Sequence, residues 1–113
     1  MKNIQHKNLA NGGWQKQSFL EQMANIGSEV YRSINWKNKN NTEYAQLAFL
    51  RSLELFDLPK NSKLTLPQYK ELLRTRELWV DFFFYDNVYH STAEAFDKYF
   101  MELTIAFKNL QER

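Results

Sequence analysis

A chain of 113 residues supports one continuous core and is too short for two. It contains no cysteine, which excludes disulfides, thiolate metal sites and a cysteine nucleophile, and makes a reducing cytoplasm the expected setting. Fifteen basic and 13 acidic residues leave a formal charge of +2, too little for charge alone to establish a nucleic-acid partner.

Residues 1 to 17 have no sustained hydrophobic period and include the turn signal Asn11-Gly12-Gly13. They are expected to form an irregular N-terminal arm, with Trp14 available to dock it onto the bundle or a partner. From residue 18 the chain reads as four helices. Ser18-Phe-Leu-Glu21 has the form of a capping box, and Phe19, Met23, Ile26, Val30 and Ile34 then recur at three and four spacing on one face. Gly27 interrupts that stripe at a cost of ~1 kcal/mol relative to Ala, which close approach of a neighbouring helix would offset. The helix should end near Trp36, before the turn formers Lys37 to Asn41.

The second helix is expected from Thr42 to Leu58, where Pro59 stops it, and its wide apolar surface marks it as the most buried of the four. Thr65-Leu-Pro-Gln68 opens the third, which turns Tyr69, Leu72, Leu73, Trp79, Val80 and Phe83 toward the core. Its aromatic run, Trp79 to Tyr85, continues the upstream period and is read as helix. Ser91-Thr-Ala-Glu94 opens the fourth, whose stripe is Phe96, Tyr99, Phe100, Leu103, Ala106, Phe107 and Leu110. Short links make neighbours antiparallel. The expected fold is therefore all-α: an up-down-up-down four-helix bundle over residues 18–113 behind an arm over 1–17.

Nine Phe, six Tyr and three Trp are a heavy load for such a bundle, since each ring buries ~150–250 Å², so some rings are expected at an interface. Met101 and Ile105 lie off the fourth helix's core stripe and are candidates for an oligomer contact. No apolar run approaches the ~20 residues that span a bilayer, so no membrane partner is expected.

Arg76 sits among apolar neighbours on the third helix, and Arg51 repeats the anomaly on the second. Two guanidinium groups along the seam need partners, and Glu29, Glu54 and Asp81 are the candidate acids; an anionic-ligand pocket is the alternative reading. Glu77 and Asp81 share a face at i and i+4. They are the residues an RNA or nucleotide hydrolase of helical-bundle type would use, although no second acidic pair supports a metal site, and no cofactor is expected. Basic residues fall at Lys37 and Lys39, at Lys60 and Lys63, and at Lys70 and Arg74. The two links lie at opposite ends of the bundle, so oligomerisation would be needed to gather such patches around RNA or DNA.

Ala48-Phe-Leu-Arg-Ser-Leu-Glu-Leu-Phe56 and Arg74-Thr-Arg-Glu-Leu-Trp79, within four successive helices, resemble two groups of small bacterial bundles: HEPN-type domains and the intervening-sequence or accessory-variability bundles. The HEPN resemblance implies a non-nucleolytic member, because catalytic members carry His four to six residues after Arg and His90 lies much further from Arg76. The other resemblance implies an oligomer that acts with nucleic acid or a reverse transcriptase. Together these expectations describe a non-enzymatic, self-associating interaction or accessory module, with a protein, RNA or DNA as partner.

Overall fold

The structure, a computed structural model, describes residues 13–57 and 64–112, with side chains from residue 18 onward. It is an all-α, up-down-up-down four-helix bundle: α1 (Gly13–Asn38), α2 (Thr42–Phe56), α3 (Leu66–Phe83) and α4 (Ala93–Gln111). At about 1.5 Å per residue the 26 residues of α1 span ~39 Å, which sets the 43 Å long axis.

The helix starts follow local hydrogen-bond chemistry and correct two of the sequence expectations. Thr65 caps α3 as expected: its hydroxyl accepts from the Gln68 amide at 3.2 Å, and the Gln68 carbonyl accepts from the Thr65 amide at 3.0 Å. The cap of α4 is Thr92 rather than Ser91, with Thr92 Oγ1 accepting from the Ala95 amide at 3.1 Å. Ser91 instead closes the preceding loop, its backbone exchanging hydrogen bonds of 2.8 and 3.0 Å with the Asn87 side chain. Ser18 caps nothing, because α1 already starts at Gly13; the helical residues 13–17 therefore fall in the expected arm, and residues 1–12 lie outside the described ones. Asn41 caps α2 by accepting from the Tyr44 amide. The left-handed Asn40 closes α1, letting the Asn41 amide reach back to the Trp36 carbonyl at 2.9 Å.

The most buried helix is α1, not α2. Phe19, Leu20, Met23, Ile26, Val30 and Ile34 are all buried, whereas Tyr44, Leu47 and Leu50 of α2 face outward. α1 lies between α2 and α4 and packs closely against both. A Cβ built on Gly27 would stand 2.8 Å from Phe100 Cβ, so the glycine is what lets α4 approach.

α3 is attached differently, through rings. Trp79, fully buried, packs tilted against Phe49, Phe82 and Phe83 and edge-on against Phe96, with centroids 5.1 to 6.1 Å away. Its indole N–H donates to Ser52 Oγ at 2.9 Å, and that buried hydroxyl donates onward to the Phe49 carbonyl. One serine thus gives the only polar atom of a core tryptophan its partner. The outer part of α3 is less buried than the sequence suggests, since Tyr69 and Leu73 are exposed.

Candidate interaction site

The C-terminal end of α3 and the outer side of α2 form an open groove of about 410 Å³, lined by Phe49, Leu50, Leu53, Arg76, Val80 and Tyr85 among others. α3 stops at Phe83, so Phe84 and Tyr85 leave the helix and stand 59% and 66% exposed instead of continuing the core stripe. Phe84 is not loose: it stacks on Phe49 at 5.9 Å and meets Tyr85 edge-on at 5.0 Å, so core packing holds an exposed aromatic rim in place. Across Arg76, Val80 and Tyr85 the groove runs into a second concavity bounded by Leu73, Glu77, Asp81 and Tyr89.

Its charged groups are mostly spoken for. Arg76 Nε and Nη2 meet Asp57 Oδ1 and Oδ2 at 3.1 and 3.4 Å, a forked pair joining α3 to the end of α2. This corrects the expectation of an interior arginine: the side chains are 36% and 54% exposed, so the pair sits at the rim in reach of water. Arg51, the other expected seam residue, is exposed and has no ion pair among the described residues. The proposed acids scatter as well. Glu29 pairs with Arg32 at 2.7 Å on the same helix, and Glu54 is exposed.

Asp81 is buried and takes a structural role that helical spacing does not reveal. Its two carboxylate oxygens accept from the Val88 and Tyr89 amides at 3.0 and 3.1 Å, and its carbonyl accepts from the Asn87 amide. These bonds fold the α3–α4 loop, in which Asn87 and His90 take left-handed backbone. Glu77 does not converge with Asp81 on an open site; it accepts from the Tyr89 hydroxyl at 2.7 Å, a bond that raises the Tyr89 pKa. The hydrolase alternative gains no support from this arrangement. Among the described residues, no group of three or more His, Asp or Glu is placed to hold a metal ion.

The other side of α3 carries a pocket shared with α4, lined by Thr75, Leu78, His90, Thr92, Phe96 and Tyr99. Burial, reinforced by a hydrogen bond from the Tyr99 hydroxyl to Glu71, raises the Tyr99 pKa well above its ordinary value.

Of the basic candidates, Lys37 lies over the Phe83 ring at 5.1 Å and Lys39 over Trp36 at 5.2 Å, placing both at the aromatic end of the bundle. Lys70 and Arg74 are exposed on α3, while Lys60 and Lys63 lie outside the described residues. So does the side chain of Trp14, although its backbone belongs to α1. Met101 and Ile105 are 61% and 50% exposed on the outer face of α4, and Met101 borders a shallow groove with Ala24, Ser28 and Tyr31 of α1. No described helix is long and apolar enough to cross a membrane. Comparison with known proteins finds no matching family model, no matching curated protein and no matching solved structure.

Proposed function

We propose that the chain is a non-enzymatic helical interaction module that self-associates through α4 and offers the α2–α3 groove to a protein partner. The observation that carries this reading is the outward Met101 and Ile105, which the core does not use although α4 has a full inner stripe of its own. Leu50, Phe84 and Tyr85 add a second exposed apolar surface, and the arginine between them is already held by Asp57. Such a groove suits an apolar segment more than an anion.

Light scattering over a range of protein concentrations tests self-association. The parent should gain mass with concentration, and Met101→Glu with Ile105→Glu should remain monomeric at unchanged helicity, because two carboxylates entering an apolar contact lose water without partners. A double variant that assembles like the parent would remove α4 from the reading.

Nucleic acid is the second reading. It is favoured by Lys37 and Lys39 beside rings at the end that also exposes Tyr44, Phe84 and Tyr85, since stacking surfaces flanked by cations suit single strands. Binding of a single-stranded RNA oligomer that weakens steeply with salt and is lost in Lys37→Glu with Tyr85→Ala would support it; binding indifferent to both would end it.

A further inference from the structure

The outer face of α4 carries more than two apolar side chains. Glu94, Asp97, Met101, Ile105 and Lys108 follow one another at spacings of three, four, four and three, so they form a single stripe that the exposure of Met101 places away from the core. The stripe is acidic toward its N-terminal end and carries Lys108 toward its C-terminal end. Glu94 and Lys108 are exposed, and neither has an ion pair among the described residues.

We infer that the partner of this face is a second copy of the chain, packed α4 against antiparallel α4 with the two-fold axis passing through Met101. Charge selects this register. Glu94 and Lys108 each lie seven residues from Met101, ~10.5 Å along the helix, so a two-fold there sets Glu94 of each copy level with Lys108 of the other. Met101 then faces Met101, and Ile105 comes level with Asp97 beside the groove where α1 contributes Ala24 and Tyr31. Lys98 and Glu102, on the flank, come level with Thr104 and Phe100 of the second copy, so no like charges are opposed. The competing arrangements fare worse. Parallel packing sets Glu94 on Glu94 and Lys108 on Lys108. Moving the axis one half-turn toward the C-terminus, midway between Met101 and Ile105, opposes Lys98 to Lys108 and Glu94 to Glu112. The same move toward the N-terminus sets Glu94 level with Thr104 and Lys108 level with His90, so the Glu94–Lys108 match is lost. An interface confined to α4 and one flank of α1 falls toward the small end of the ~1,200–2,000 Å² of stable complexes, so association should depend visibly on concentration and salt.

This inference rests on the self-association proposed above, and the chain's lack of cysteine provides a test that separates the two. With helices 8–10 Å apart, residues facing each other on the axis have Cα atoms about 5 Å apart, within disulfide range. Met101→Cys should therefore form a covalent dimer under mild oxidation on the order of tenfold faster than Lys108→Cys, whose copies stand ~21 Å apart along the helices. Lys108→Cys should link efficiently only when mixed with Glu94→Cys. Reversing either charge, Glu94→Lys or Lys108→Glu, should weaken association on the order of tenfold, and combining both reversals in one chain should restore it. If the parent dimerises but Met101→Cys links no faster than Lys108→Cys, or the combined reversal fails to rescue, the register is wrong while self-association stands. A parent that stays monomeric at every concentration overturns both.

Discussion

The two sides of the bundle are joined by different means. Between α1 and α4 a glycine lies under Phe100, leaving no spare volume, so contact is made by bringing backbones together. Between α2 and α3 the space is filled by rings, Phe49 against Trp79, Phe83 and Phe84, with a single buried hydroxyl satisfying the indole. A seam of the first kind is sensitive to added atoms and one of the second kind to lost ones. The ring-built side also leaves an open groove, because large side chains propping two helices apart do not close the surface above them. That is where the candidate partner site lies.

The largest effect should come from emptying the ring-built side. Trp79→Ala should cost about 3–5 kcal/mol in denaturant melts, the range for truncating a buried aromatic. Ser52→Ala removes only one oxygen yet leaves the indole N–H and its surroundings without a partner, at about 1–3 kcal/mol. If Ser52→Ala melts like the parent, the indole has found another acceptor and the ring seam tolerates more than its geometry suggests.

The close seam should respond in the opposite sense to size. Gly27→Ala gains ~1 kcal/mol of helix propensity, but its Cβ would meet the root of Phe100 rather than a movable tip, so α4 must shift. A net loss of about 1–3 kcal/mol is expected. Pairing it with Phe100→Leu should recover part of the loss; no recovery would show that the glycine matters for some reason other than this contact.

Intermediate effects test the capping chemistry, where sequence reading succeeded at Thr65 and slipped at Ser91 and Ser18. Thr65 was legible because Gln68 is the only partner its pattern offers and Pro67 fits the first turn. At Ser91-Thr92 two adjacent hydroxyls compete, and which one caps depends on the loop that Asp81 and Asn87 fold, a tertiary feature with no helical period. Thr92→Ala should cost about 0.5–2 kcal/mol, and Ser91→Ala should fall within about 0.5 kcal/mol of the parent. The reverse order would return the cap to Ser91. The α1 start was missed for a related reason: Asn11-Gly12-Gly13 reads as a turn, yet the helix begins at its last glycine.

A smaller effect belongs to the pocket between α3 and α4. The raised Tyr99 pKa means that the folded state holds this proton more tightly than the unfolded chain. Its stabilising contribution is therefore complete below the ordinary tyrosine value near ~10 and is lost as pH rises through that value toward the folded one. Melting temperature should fall more steeply above about pH 10 in the parent than in Tyr99→Phe, which has no proton to lose. Parallel curves would mean that Tyr99 does not contribute to the alkaline loss.

A small expected effect at Arg76 carries the sharpest correction. Arg76 lies among apolar residues when only its own helix is considered, and a buried arginine losing its acid would cost about 3–5 kcal/mol. What the helical period omits is the end of α2, where Asp57 draws the guanidinium out to the rim and leaves 36% of the side chain exposed. Water then screens the charge, so Arg76→Ala should cost no more than about 1 kcal/mol. Arg76→Met, which keeps an apolar stem in the groove that Val80 also lines, should cost less still. A large loss for both variants would mean that the fork holds α3 against α2 more firmly than the rings do, and the contrast between the two seams would have to be redrawn around charge.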